Sequence, residues 1–157
     1  VTPGFEAFLT DRLSILIVNG PNLNMLGQRE PEIYGRDTLA DIETACALRA
    51  ADHGLDIDFR QSNKEGELVD WTQSAAKDHA GIIVNAGAYS HTSIALLDGL
   101  LASGLPVIEV HLSNIFRRES FRHHSYVSTA ATGVICGLGL NGYLLAIDAM
   151  AKLIRPA

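Results

Sequence analysis

The residues of this chain whose types and spacing could do chemistry are asparagines, histidines and arginines that follow short apolar runs. Asn19 and Asn22 follow Ile15 to Val18, Asn85 and His91 follow Gly81 to Val84, and His111 and Asn114 follow Val107 to Val110. An imidazole gives and takes protons near neutral pH, a carboxamide can donate to a developing anion, and a guanidinium can hold a carboxylate through two parallel hydrogen bonds. An asparagine after a strand is by itself more often a turn former than a ligand contact. Delivery of Asn or His by three separate runs is harder to ascribe to turns. Among the other histidines, His53 and His79 stand near helix ends and are expected to be exposed, while adjacent His123 and His124 cannot easily share one target. That leaves His91 and His111. No His-x-x-x-His or Cys/His spacing supports a metal, and the carboxylates do not cluster with these two, so organic acid–base chemistry without a metal is expected.

The elements that must position these residues are five strand-length apolar runs, at Ile15 to Val18, Leu55 to Phe59, Gly81 to Val84, Val107 to Val110 and Val134 to Cys136. Helical periodicity fills the gaps. Thr38 with Asp41 forms an approximate capping box for a helix carrying Leu39, Ile42 and Cys46 on one face, stopped by Gly54. A second helix, capped by Ser62 or Asn63, places Leu68, Trp71 and Ala75 on one stripe; a third runs from about Thr92 to Ser103, and the last from about Leu140 to Leu153. Strands alternating with helices imply an α/β fold: a parallel sheet covered on both faces, a three-layer sandwich of flavodoxin-like order 2-1-3-4-5. Leu55, Ile57 and Phe59 alternate with Asp56, Asp58 and Arg60, so this strand should lie at an edge with one face in water. In such sheets ligands bind beyond the carboxyl ends of the strands, where the asparagines and histidines fall.

With 157 residues the chain fits one domain over residues 14–157, preceded by an arm over residues 1–13 that lacks the pattern of a secretory signal. A net charge of −6 disfavours nucleic acid as a partner, and no apolar run approaches the length of a membrane span. Cys46 and Cys136 sit inside apolar patterns and read as buried free thiols, compatible with a reducing cytosol and a cytoplasmic location. Gly137-Leu138-Gly139-Leu140-Asn141-Gly142 matches the dinucleotide pattern G-x-G-x-x-G, but no later strand can supply a ribose-binding acid. Close strand–helix packing is the simpler use of these glycines. The connection from Asn19 to Gly35 is far longer than the usual two to six residues, and reads as a functional lid anchored by Met25, Leu26, Ile33 and Tyr34. The segment from Phe116 to His124 concentrates Arg117, Arg118 and Arg122 beside His111, where one arginine could hold a substrate carboxylate.

Four motifs then carry a resemblance. Asn19-Gly-Pro-Asn-Leu-Asn-Met-Leu-Gly-x-Arg-Glu-Pro-x-x-Tyr-Gly35, Asn85-Ala-Gly-Ala-Tyr-Ser-His-Thr-Ser93, Glu109-Val-His-Leu-Ser-Asn114 and Phe121-Arg-x-His-Ser125 together resemble type II 3-dehydroquinate dehydratase over roughly Ser14 to Leu153. The resemblance implies a flavodoxin-like domain, assembly of trimers into a homododecamer, and dehydration of 3-dehydroquinate to 3-dehydroshikimate with neither cofactor nor metal, in the shikimate or quinate pathway. Position by position it implies Tyr34 as the base and Arg29 as its lid partner. A tyrosine of ordinary pKa near 10 is only about 0.1% ionised at pH 7, so a nearby guanidinium would serve the phenolate. It further implies Asn22 as the enolate stabiliser acting through a water, and His111 as the general acid with Glu109 in support. Asn85, His91, Leu112, Ser113 and Arg122 match substrate contacts, and Asp98 matches a residue reaching into a neighbouring subunit's site. The competing expectation is a non-catalytic flavodoxin-like module that binds a small polyhydroxy acid, which would not need to keep both Tyr34 and His111.

Overall fold

The structure, a computed structural model, describes residues 12–155, so the expected arm lies outside the described residues except for Arg12 and Leu13. Arg12 ties the start of the domain down by donating to the carbonyls of Gly54 and Leu55, at 3.3 and 3.2 Å. The elements follow as β1 (Ser14–Asn19), α1 (Pro31–Tyr34), α2 (Leu39–Asp52), β2 (Asp56–Gln61), α3 (Glu65–Gln73), β3 (Gly81–Asn85), α4 (Ile94–Ser103), β4 (Val107–His111), β5 (Gly133–Cys136) and α5 (Leu140–Ile154). Every strand pair is parallel and the order is β2-β1-β3-β4-β5, the flavodoxin-like order expected from the sequence.

The three central strands are buried along their whole lengths, apart from the half-buried Ser14 at the start of β1, because both faces carry helices. Alternate side chains feed two cores. Ile15, Ile17, Ile83, Ile108 and Val110 pack with Ile42, Cys46 and Ala50 of α2 and with Ile147 and Met150 of α5. Leu16, Val18, Ile82, Val84 and Val107 pack with Leu68 of α3 and Leu96 and Leu100 of α4. Burial pushes the Cys46 thiol up to about 12, so it stays neutral, whereas Cys136 is only half-buried, in contrast to the expectation of two buried thiols. Among the described residues no helix is long and apolar enough to cross a membrane.

Local chemistry explains most element boundaries. The Thr38–Asp41 capping box is complete: Asp41 N–H donates to Thr38 Oγ1 at 3.1 Å and Thr38 N–H to Asp41 Oδ2 at 2.9 Å. The cap expected for α3 is not formed. Its N-cap residue is Lys64, while Ser62 Oγ accepts from Lys64 N–H and Asn63 Oδ1 reaches across to accept from Asn22 N–H, each at 3.0 Å. Two expectations about the β2 edge are also corrected. Its residues after Asp56 are half-buried on both faces, since Asp58 binds Arg60 at 2.6 and 3.0 Å. His79, expected to be exposed, has a buried ring that donates to the same carboxylate at 3.0 Å.

At the opposite end of the sheet a chain of side-chain hydrogen bonds closes the strand termini. Asn19 Nδ2 donates to the Arg60 carbonyl at 3.0 Å, and Asn19 Oδ1 accepts the Tyr143 hydroxyl at 2.7 Å. That hydroxyl accepts from Asn85 Nδ2 at 2.9 Å, and Asn85 Oδ1 accepts from Gly87 N–H at 3.2 Å. Just beyond, Gly20 N–H donates to the Asn85 carbonyl at 2.8 Å, and a Cβ on Gly20 would run into the Ala86 carbonyl. The close strand–helix packing expected of the 137–142 glycines is not what they provide: a Cβ at Gly142 would make ordinary contact with Val110 and Ile135 at 3.5 Å, one at Gly139 would meet nothing within 4 Å, and only Gly137 is tight, against Asn114 at 3.0 Å.

Two glycine substitutions should separate these constraints in denaturant unfolding. Gly20→Ala should cost more than about 2 kcal/mol through backbone collision, whereas Gly66→Ala, in open space in the first turn of α3, should gain about 0.5 kcal/mol from helix propensity. Equal effects at both positions would contradict the close approach at Gly20.

Candidate active site

A cavity of about 290 Å³ opens beyond the carboxyl ends of β1, β3 and β4, where the strand order reverses. Three connections build its walls. The β1–α2 connection contributes Asn22, Arg29 and Tyr34, and the end of β3 with the segment after it contributes Asn85 and His91. The end of β4 contributes His111, and the segment after it Leu112, Ser113, Arg118 and Arg122. Nine of the sequence-predicted site residues therefore meet at one place: Tyr34, His111, Asn22, Arg29, Asn85, His91, Leu112, Ser113 and Arg122. Asp98 does not; it lies exposed on α4. Glu109 stands behind His111 rather than in the wall, with no exposed surface.

The His111–Glu109 pair sets the proton inventory on one side. Glu109 accepts from His111 Nε2 and from the Ser128 hydroxyl, the latter at 2.6 Å. Burial acts to raise the Glu109 pKa, but the hydrogen bonds from His111 and Ser128 outweigh it and hold the carboxyl below its ordinary value. A carboxylate can only accept, so Nε2 of His111 carries a hydrogen. The other ring nitrogen, Nδ1, is left as the atom that can exchange a proton. The His91 ring lies nearly parallel to that of His111, with centroids 6.3 Å apart and planes inclined by 16°. His91 Nδ1 donates to the His124 carbonyl at 2.8 Å. Burial first, then the proximity of His111 and Arg122, keeps the His91 pKa below its ordinary value, favouring a neutral ring whose Nε2 can accept.

In the same wall, Tyr34 has two cations close to its ring. The Arg29 guanidinium carbon is 5.7 Å from the centroid of its ring and that of Arg118 is 5.2 Å away. Arg118 was named in the sequence only as part of the basic segment, and Arg122 was the arginine singled out. A four-residue spacing puts side chains on one face of an α-helix, but the segment folds as separate 3-10 turns at Ile115–Arg117 and Ser120–Arg122. Arg118 falls between them and reaches Tyr34, while Arg122 is held by Glu119 at 2.5 Å and still lines the cavity. Proximity in sequence to His111 was the available signal for Arg118; its direction was not legible.

The long connection that carries Arg29 and Tyr34 divides at Gly27. Leu23 and Leu26 are buried, but Met25 and Ile33, expected as anchors, are 41% and 40% exposed. Gly27 and Gly35 both have left-handed φ, +85° and +84°. Gly27 also lies against Arg36 and Thr38, so the loop's two ends meet, as in an Ω-loop. Between them every residue is exposed except Tyr34, which is half-buried against the core. Asn22 sits before this division with φ +68°, its backbone fixed by Asn63. Asn19, which follows the same apolar run as Asn22, is fully buried and committed to Arg60 and Tyr143.

The family model described as Dehydroquinase class II matches residues 13–151. The chain is 63% identical over 140 residues to the 3-dehydroquinate dehydratase of Streptomyces avermitilis, covering 88% of each chain. It is 59% identical over 141 residues to 3-dehydroquinate dehydratase 2 of Pseudomonas putida, covering 90% of this chain and 95% of that one. Among solved structures it is similar to the type II dehydroquinase from Propionibacterium acnes, with a TM-score of 0.85, 45% identity and coverage of 90% and 99% of the two chains.

The depressed Glu109 pKa makes a signed prediction. The unfolded chain binds the more protons between the two pKa values, so the stability contributed by the carboxylate is complete above its ordinary value of 4.5 and lost as pH falls through the lower folded value. In thermal melts, wild type should exceed Glu109→Gln by a margin that is steady from pH 6 to 8 and shrinks below about pH 4.5. Parallel curves down to acid unfolding would contradict an ionised Glu109.

Proposed function

The chain belongs to the class II dehydroquinase family, and on that premise we infer that it is a hydro-lyase, a 3-dehydroquinate dehydratase that removes water from 3-dehydroquinate to give 3-dehydroshikimate. This is a reaction of the shikimate pathway. The single observation that carries the assignment of roles is that one cavity wall brings together Tyr34, with two guanidiniums close to its ring, and His111, which is backed by the buried Glu109. Eliminating water beta to a ketone needs one base, one acid and a stabiliser for the enolate between them.

In the reading proposed here, Tyr34 as phenolate takes the proton from the carbon beside the ketone, and the electron pair left behind forms the enolate. Arg29 and Arg118 stand close to the Tyr34 ring, at 5.7 and 5.2 Å from the centroid. Asn22 stabilises the enolate oxygen, through a water, as an oriented donor aimed at developing charge. Collapse of the enolate breaks the bond to the beta hydroxyl, which leaves as water with the proton from Nδ1 of the His111 imidazolium. Glu109 supports this step by holding the ring through Nε2, which fixes its orientation and leaves Nδ1 for the transfer. Tyr34 then holds one extra proton and His111 lacks one, and exchange with solvent restores both. Arg122, His91 and Asn85 are assigned to the substrate's carboxylate and hydroxyls, with the backbone of Leu112 and Ser113. No cofactor or metal enters this scheme.

The exposed Gly27–Gly35 segment supports a lid that delivers Arg29 and Tyr34 on closing, since segments with few buried contacts open at low free-energy cost. Asp98 is assigned to a neighbouring subunit's site in an assembly of trimers into a homododecamer. Its exposure away from its own chain's cavity supports that role, as do the exposed apolar side chains Ile94 and Leu101 on the same helix. A cytoplasmic location accords with the biosynthetic reaction.

Purified protein mixed with 3-dehydroquinate should generate enone absorbance, and a folded sample that generates none would overturn the activity. In the same assay Tyr34→Phe should lose at least ~10³-fold in kcat while substrate still binds; a near wild-type rate would exclude Tyr34 as the base. Light scattering should report a multiple of three chains, and a monomer at assay concentration would refute the role of Asp98.

A further inference from the structure

Among the described residues, Asn85 is the one polar side chain that both lines the cavity and belongs to the hydrogen-bonded chain beneath it. The direction of every bond in that chain is determined. The Arg60 carbonyl can only accept, so the Asn19 amide must present its nitrogen there and its oxygen to Tyr143. The Tyr143 hydroxyl spends its only proton on that oxygen, and is left as an acceptor toward Asn85. The Gly87 N–H can only donate, so it selects the oxygen of the Asn85 amide from the other side. Asn85 is thus held with its nitrogen on Tyr143 and its oxygen on Gly87, leaving one Nδ2 hydrogen uncommitted. Tyr143 is fully buried, and burial raises its pKa, so the hydroxyl stays protonated throughout the working range.

We propose that Tyr143 and Asn19 are positioning residues for the reaction. Acting through Asn85, they fix which face of its amide the substrate meets, a donor N–H rather than a carbonyl oxygen. Neither touches the cavity itself. Their effect arises because an amide can turn over at little steric cost, and a turned Asn85 would set a lone pair against a substrate hydroxyl oxygen or the developing negative charge. With Tyr143→Phe, Gly87 alone would hold the orientation. With Asn19→Ala, the Tyr143 proton would lose its acceptor and turn toward Asn85, which favours the inverted amide. Both changes act on the same element without altering any residue in the cavity wall.

This inference rests on the dehydratase reading, and a double-mutant cycle on the intact protein tests it. Tyr143→Phe, Asn85→Ala and the double variant are assayed with 3-dehydroquinate alongside wild type, and melting temperatures are recorded for all four. Tyr143→Phe should lower kcat/KM about tenfold in the wild-type background and less than twofold in the Asn85→Ala background, while lowering the melting temperature in both. A merely structural tyrosine would give the same fold-loss of kcat/KM in both backgrounds, and that result would overturn the proposal. Asn19→Ala run through the same cycle should behave alike, and it carries the test if Tyr143→Phe does not fold. Turnover by wild type with additive losses would refute the positioning role alone; no turnover by wild type would refute the dehydratase reading and this inference with it.

Discussion

The site depends on one constraint, the need to satisfy polar groups buried where three parallel strands end. β1, β3 and β4 are covered on both faces, so side chains at their carboxyl ends have almost no water to bond to. Asn19, Asn85 and Glu109 are all essentially buried there, and each finds partners within the fold. Tyr143 resolves the first two with one hydroxyl, which joins α5 to β1 and β3 at the floor of the cavity. An apolar residue there would leave an amide oxygen and an amide nitrogen unpaired, and each orphan would cost about 1–3 kcal/mol. The preorganised floor is thus a by-product of ordinary folding requirements.

Charge is divided across the cavity in the same spirit. The chain carries a net charge of −6, yet among the described residues the cavity wall holds three arginines and no carboxylate, with Glu109 sealed behind His111. An anionic substrate therefore meets locally positive walls on an otherwise acidic protein. Arg29 and Arg118 come from connections after different strands, so the environment of Tyr34 exists only once the fold has brought β1 and β4 into register through β3. The surroundings of the proposed base are a property of the assembled sheet edge more than of its own loop.

Much of this was legible in the sequence because it is periodic. Alternation of apolar runs with helical stripes gave the sheet order, and the position of asparagines and histidines after those runs gave the cavity. What was not legible depends on side-chain direction. Asn19 and Asn22 look equivalent in sequence, but one points beneath the site and the other into it. Arg118 and Arg122 looked like helical neighbours, but two 3-10 turns send them to different partners. His79 near a helix end read as exposed, and only the fold brings Asp58 across to bury it. Ser62 and Asn63 carried the right cap chemistry, yet Asn63 was drawn off by the Asn22 backbone. In each case local rules were overridden by a partner distant in the chain.

The loop between Gly27 and Gly35 has one more consequence. Its residues bury almost nothing, yet it carries the tyrosine and one of the arginines on which turnover is proposed to depend. Selection for a well-folded protein is therefore nearly blind to this stretch, and selection for turnover acts on it almost alone. Variation among foldable sequences would accumulate there without any warning from solubility or yield. A fully folded but inert protein is the characteristic failure of such an architecture, and it would arise from changes in fewer than ten consecutive positions.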